Sequence, residues 1–343
     1  MNELLKKITE APGTSGYEDN IRNVIENEVK RYVDNVKVDK IGNLICSIGQ
    51  GGPKIMIAAH MDKLGLIVKY IDNDGFIRFG TVGGWDPRVL PSQKVVIYGS
   101  KKPVIGVIGH KPVHIQEKEE SEKADKIKDM FIDIGAKNKK DVEKAGINIG
   151  DQINFYTGYD DLIGNRVVGS GFDDRIGCFE IVEIIKNVKK FKGTLYAVFT
   201  VAEEIGLVGV RGATFGVNPD VMIALDTTIA GDFPGITAGE VVPRIGKGPV
   251  IGIKDAVSVI NKKVRIWLEE TAKNNKIPLQ YDVIDRGATD ASVAAMIREG
   301  IPSGTVLTPT RYVHTSVEVV DMNDVKNVIK LVSYAINSSH KYF

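Results

Sequence analysis

At 343 residues the chain is longer than a single hydrophobic core usually serves, so a main domain with a smaller second one is expected. Its 45 Lys and Arg against 44 Asp and Glu leave a net charge of +1, which excludes the broad basic surface used to grip nucleic acid or anionic lipid. No run of about 18 apolar residues is present to span a membrane, the first ten residues read as a charged amphipathic helix rather than a secretory leader, and two cysteines, Cys46 and Cys178, support neither a disulfide framework nor a thiolate metal site; a cytoplasmic protein is expected.

A short helix over residues 2–10 is broken by Pro12-Gly13-Thr14-Ser15-Gly16, and a second runs from about Tyr17 to Tyr32, with Ser15 and Glu18 in capping-box spacing. Residues 36–38 and 43–47 read as paired strands, and Lys54 to Ala59 as a buried strand that stops on His60-Met61-Asp62. From about Val68 to Tyr159 short β-rich segments alternate with turn sequences such as Asn73-Asp74-Gly75 and Gly83-Gly84-Trp85, the pattern of an inserted β domain in which Trp85 belongs to a packed turn. Within it the charged run Glu117 to Lys128 reads as a mobile, solvated loop, and His110 and His114 as structural residues.

After Asp161 helices and strands alternate again. Gly171-Phe172-Asp173-Asp174-Arg175 opens a helix to about Val188, and Thr194 to Val201 is a strand that runs into Glu203-Glu204-Ile205-Gly206. A helix over 208–215 and a buried strand from Val221 to Leu225, ending on Asp226, come next. Helices over about 257–274, 290–298 and 322–338, strands at 280–284 and 305–307, and a late loop bearing His314 complete the chain. The alternation predicts an α/β core with helices covering a sheet, in which ligands gather beyond the carboxyl ends of the strands.

His60, Asp173, Glu204, Asp226 and His314 supply two imidazoles and three carboxylates at such ends and loops, a donor set that suits zinc, cobalt or manganese. Two ions about 3.5–4 Å apart need one bridging carboxylate and two further ligands each, and five side chains meet that count if Asp173 bridges. Asp62 is placed to hydrogen-bond the second ring nitrogen of His60, and Glu203 is left as general base toward a metal-bound water. Taken singly, each has a plainer reading: His60 as a packed rim residue, Asp173 as a helix N-cap, Asp174 as a cap or a partner of Arg175, Asp226 as a turn residue, and Glu203-Glu204 as a solvated turn. No GxGxxG after a strand, Walker loop, GxSxG or HExxH is present, and adjacent acids on one element fit a glycosidase pair poorly.

These residues resemble the tetrahedral (TET) family of metallo-aminopeptidases, some of whose members were labelled endoglucanases. The motifs that carry the resemblance span nearly the whole chain: Pro12-Gly13-Thr14-Ser15-Gly16-Tyr17-Glu18, Asp39-Lys40-Ile41-Gly42-Asn43, His60-Met61-Asp62, Gly171-Phe172-Asp173-Asp174-Arg175, Ala202-Glu203-Glu204-Ile205-Gly206, Leu225-Asp226, Gly287-Ala288-Thr289-Asp290 and Arg311-Tyr312-Val313-His314. The resemblance implies a mixed-sheet α/β/α catalytic domain over residues 1–67 and 162–343, and an inserted PDZ-like β domain for dimerisation over 68–161. It implies one metal on His60, Asp173 and Asp226, a second on Asp173, Glu204 and His314, Glu203 as base and Asp62 as the acid that orients His60. It further implies dimers assembled into a hollow dodecamer that trims short peptides. Asp290, with Thr289 beside it, is a candidate to meet the peptide's amino terminus or to support the ligands. The lack of a charged pocket cluster points to neutral, leucine-like first residues. Other readings are a carboxypeptidase or N-acyl amino acid deacylase, gripping a substrate carboxylate with Arg286 or Arg311, and a non-catalytic metal-bound peptide-binding scaffold.

Overall fold

The computed structural model describes residues 2–118, 122–188, 191–237 and 239–343. Strands β1 (Asn35–Val38), β2 (Leu44–Gly49) and β3 (Lys54–His60) begin the main sheet. The chain then leaves it for a closed barrel built from β4 (Gly65–Ile71), β5 (Ile77–Val82), β6 (Lys94–Tyr98), β7 (Val104–Ile108), β8 (Ile132–Asp133) and β9 (Gln152–Phe155), in the order β4-β5-β8-β7-β6-β9. After β10 (Asp160–Asp161) and β11 (Arg166–Gly169) it returns through β12 (Thr194–Thr200), β13 (Val221–Ile229), β14 (Val250–Lys254), β15 (Gln280–Val283) and β16 (Ser303–Thr310). These give an eight-stranded mixed sheet ordered β1-β2-β12-β3-β13-β16-β14-β15, while β17 (Glu318–Asp321) pairs with β11.

Side-chain parity sets the layers. Along β3, Ile55, Ile57 and Ala59 enter one hydrophobic core and Met56 and Ala58 another, and along β13, Val221, Ile223 and Leu225 separate from Met222 and Ala224 in the same way. This is the period-two alternation of strands buried on both faces. The first core is covered by the helices Asn2–Glu10, Asp19–Val29, Phe172–Asn187, Lys262–Asn275 and Met322–Ser338, the second by Val208–Val217 and Asp290–Ala294. His60 and Asp226 continue the even-numbered parity of Ala58 and Ala224, which are register partners in parallel strands, so both side chains leave the sheet on the same side. The barrel has its own core around Leu66, Ile97 and Ile153.

Trp267 anchors the larger core: it is wholly buried and donates Nε1–H to the Ala335 carbonyl at 3.1 Å. Trp267→Ala is expected to lower unfolding free energy by about 3–5 kcal/mol, read from denaturant melts; a loss below about 1 kcal/mol would show that the packing of helix Lys262–Asn275 on helix Met322–Ser338 does not depend on it.

Several local expectations change in three dimensions. The predicted capping box does not form: Ser15 Oγ donates instead to Asp62 Oδ2 at 2.6 Å, and Glu18 accepts the amides of Gly16 and Ala202 at 2.9 and 3.0 Å. The helix expected from residue 257 begins only at Lys262, because Asp255 accepts the amides of Val257 and Ser258 and folds that segment into a turn, while Asn261 supplies the cap. Strand β14 lies just before it, its apolar run split by Gly252 and thus not apparent as a strand. The helix expected to reach residue 298 is confined to Asp290–Ala294. In the charged run, residues 119–121 lie outside the described residues; His110 pairs with Asp125 at 2.8 Å. Trp85 sits in a packed turn as expected, its ring 4.5 Å from that of Phe155. Both cysteines are buried and free.

Candidate metal centre

A left-handed residue resolves how adjacent acids serve one site. β12 ends at Thr200, and Ala202 adopts φ +54°, which breaks the strand alternation that would aim Glu203 and Glu204 apart. Both then line a cavity of roughly 520 Å³ together with His60, Asp173, Asp226 and His314. Thr289 also lines it; Asp62 and Asp290 lie behind its wall.

Asp173 stands between the two imidazoles. Its Oδ1 is 3.2 Å from His60 Nε2 and its Oδ2 3.5 Å from His314 Nε2. Glu204 Oε2 lies 3.6 Å from His314 Nε2, and Glu203 Oε2 lies 3.9 Å from His60 Nε2. Ligand atoms of His60, Asp174 and Asp226 lie within 4.8 Å of one another, as do those of His60, Asp173 and Glu204. Asp174 has both oxygens engaged already, by the amides of His60 at 3.2 Å and Gly177 at 2.9 Å, whereas Asp173 turns one oxygen toward each imidazole. Neither Asp174 partner is Arg175, whose guanidinium reaches the carbonyls of Ile8, Ala11 and Gly13.

The imidazole tautomers follow from their other neighbours. His60 Nδ1 faces the Asp62 carbonyl at 3.0 Å, with Asp62 Oδ1 farther away at 3.5 Å, and His314 Nδ1 faces the Gly84 carbonyl at 3.0 Å. A carbonyl can only accept, so each Nδ1 carries the proton and each Nε2 is free to bind a cation. The Asp62 carboxylate, expected to orient His60, keeps Oδ1 3.5 Å from the His60 ring and also accepts the Glu203 and Glu204 amides at 3.1 and 3.2 Å, which shapes the acidic turn. Backbone pinning by buried acids recurs: Glu18 holds Ala202, Asp174 holds His60, and Glu318 holds Asp173 and His314. The Glu18–Ala202, Asp174–His60 and Glu318–Asp173 contacts join residues more than a hundred positions apart, so spacing carries no signal for them, although each acid belongs to or follows a motif segment.

The electrostatics favour added positive charge. Burial, together with the charges of Asp226, Glu204 and Asp290, pushes Glu203 well above the usual carboxylate range. Burial and Asp173 likewise raise Asp226, and they lift Glu204 to about 7. Burial opposes ionisation of Asp173 too, yet His314 and His60 hold it low. Burial would lower His314, but Asp173 and Glu204 raise it to about 10. Glu204 Oε1 is buried without a hydrogen-bond partner. An excess of carboxylates over imidazoles and an orphaned carboxylate oxygen fit bound divalent cations.

Residues 42–331 match the family described as M42 glutamyl aminopeptidase. The chain belongs to the M42 family. A putative aminopeptidase of Acetivibrio thermocellus is 42% identical across 98% of both chains, and a lysyl aminopeptidase of Pyrococcus furiosus is 39% identical over 96% of this chain and 94% of its own. A solved Pyrococcus horikoshii TET1 peptidase, described as assembling into a tetrahedron or a large octahedral shell, superposes with a TM-score of 0.89 at 33% identity, covering 98% of each chain. This M42 protein is thus a peptide hydrolase of the aminopeptidase type, and its resemblance to TET enzymes extends to the whole fold. No helix among the described residues of this M42 chain is long and apolar enough to cross a membrane.

Two expectations about substrate groups change. Arg311 is held by Asp232 through two 2.8 Å contacts and does not line the cavity, so it cannot grip a substrate carboxylate there; Arg286 does line it. Asp290 is 3% exposed and accepts from Thr200 Oγ1 at 2.6 Å, which gives it a supporting position rather than one facing substrate.

Proposed function

We propose that the protein is a two-metal aminopeptidase that removes neutral, leucine-like residues from the amino termini of short peptides. The observation that carries this reading is the position of Asp173, one oxygen toward each imidazole. His60, Asp173 and Asp226 would hold one divalent ion, and Asp173, Glu204 and His314 the other, with zinc or cobalt favoured and manganese compatible. The chemistry such ions would supply is Lewis-acid polarisation of the scissile carbonyl and a lowered pKa for the attacking water. Glu203 would take a proton from the attacking water and return one to the leaving amine, a task suited to a carboxylate whose pKa is raised by burial. Asp62 keeps Glu203 and Glu204 aimed inward through their amides.

The cavity supports the side-chain preference. Ile229, Ile253, Ile260 and Leu307 contribute apolar wall. Its charged members are mostly engaged: Asp282 Oδ2 accepts from Thr228 Oγ1, and Lys254 Nζ donates to Asp285 at 2.9 Å. In a panel of aminoacyl chromogenic substrates, after chelation and metal add-back, the leucyl compound is expected to exceed the lysyl and glutamyl ones in kcat/KM by about tenfold or more. Faster cleavage of either charged substrate would reverse the preference. Equal cleavage of a peptide and its N-acetylated form would refute the aminopeptidase reading, and no cleavage of any peptide would favour a binding scaffold.

The proposed division assigns residues 1–67 and 162–343 to catalysis and 68–161 to a unit that mediates dimerisation in a PDZ-like manner, the barrel itself beginning three residues earlier, at Gly65 of β4. The P. horikoshii neighbour's assembly supports a homo-oligomer, proposed to be a tetrahedral dodecamer built from dimers. Cytoplasmic residence accords with this reading.

A further inference from the structure

The loop that presents His314 cannot hold its shape alone. Tyr312 and His314 both adopt left-handed backbone, φ +61° and +63°, a region that non-glycine residues occupy only where neighbours hold them. The His314 side chain is also 42% exposed, against 3% for His60. Besides Asp173 and Glu204 at its Nε2, one further contact restrains the ring and one the backbone. The ring contact comes from the barrel, where the Gly84 carbonyl accepts from Nδ1. The backbone contact is Glu318, which is 1% exposed on β17 and accepts the His314 amide through Oε1 at 3.0 Å.

The other oxygen of Glu318 accepts the Asp173 amide at 3.1 Å. One buried carboxylate therefore joins two segments that meet only in the folded chain and that carry two of the three residues assigned to the second ion. We infer that Glu318 is a positioning residue that fixes the spacing between Asp173 and His314 and so sets the affinity of the second metal position. The inference rests on the two-metal reading above. A carboxylate suits the position because both of its oxygens accept, whereas an amide offers one acceptor and turns a donor toward the remaining N–H.

The test compares Glu318→Gln with the parent protein by competition between Co²⁺ and a chelator, with ions per chain counted by elemental analysis and melting temperatures measured on the metal-free proteins. The parent should hold two ions. The variant should keep the first and bind the second 10- to 100-fold more weakly, on the order found for groups behind metal ligands, with a metal-free melting temperature close to the parent's. Its kcat should recover at higher Co²⁺ while KM for the leucyl substrate stays unchanged. Glu318→Asp, which keeps two acceptors at shorter reach, should fall between and covers the case of a poorly folded amide variant. Parent-like affinity for both ions in both variants would overturn the inference, as would joint loss of both ions with a collapsed metal-free melting temperature. A parent that binds two ions but fails to cleave peptides would sink the proposed function and leave the role of Glu318 standing; a parent that binds fewer than two would remove both.

Discussion

Glu203→Gln is expected to retain two ions per chain and to lose kcat by about 10²–10⁴, the usual contribution of a positioned acid–base group. The amide keeps the size and nearly the shape of the side chain, and the Glu203 backbone amide remains bound to Asp62. What disappears is the capacity to take and return a proton. Neutralising a carboxylate that burial already holds far above its ordinary range also removes a desolvation cost, so the variant should be at least as stable as the parent. Elemental analysis beside steady-state kinetics checks the pair of expectations. An active variant, or one that has lost an ion, would show that Glu203 is not the base.

Asp173→Ala should affect metal binding first. With the residue between His60 and His314 gone, no other described side chain stands within 3.5 Å of both imidazoles, so occupancy should fall below two ions and turnover by about 10³ or more, since Lewis-acid stabilisation contributes several kcal/mol. The ion count distinguishes this role from a helix cap. Removing the Asp173 charge relieves repulsion on Asp226 and Glu204 but forfeits the contacts with His314 and His60 that hold its carboxyl low, so the metal-free form should also melt at a lower temperature. A cap would lose stability and leave both ions in place.

The layering and the rim were legible in the chain because they depend on short-range rules. An apolar β-branched run that stops on His60-Met61-Asp62 or on Glu203-Glu204 announces a strand end facing a polar site, and period-two burial then sends His60 and Asp226 to the same side. The helix start beside Asp173 and the acidic turn were readable for the same reason. Strand β14 was not, since Gly252 interrupts its apolar pattern and a pairing partner, Leu307 opposite Val250, completes it from far along the chain.

Long-range hydrogen bonds were beyond reach altogether. Ser15 had the spacing of a cap, but the buried Asp62 carboxylate offered its hydroxyl a stronger, charged acceptor. Asp62 stands at the His60 ring as expected, but what the spacing could not show is that its peptide carbonyl comes nearer to Nδ1 than its carboxylate and that the carboxylate also accepts the Glu203 and Glu204 amides. Arg311 looked available until Asp232 closed on it.

By itself the sequence determined which residues could carry the chemistry: two imidazoles, the paired acids and two aspartates, each at a break in an apolar run where a polar side chain escapes burial. The tertiary structure decided how they are aimed. Ala202 turns both glutamates inward, Glu318 and Asp62 fix backbone amides, and Gly84 of the barrel sets the His314 ring. The physical reason is that composition and spacing select donor types locally, whereas distances between donors depend on groups brought together only when the sheet, the barrel and their connecting loops pack.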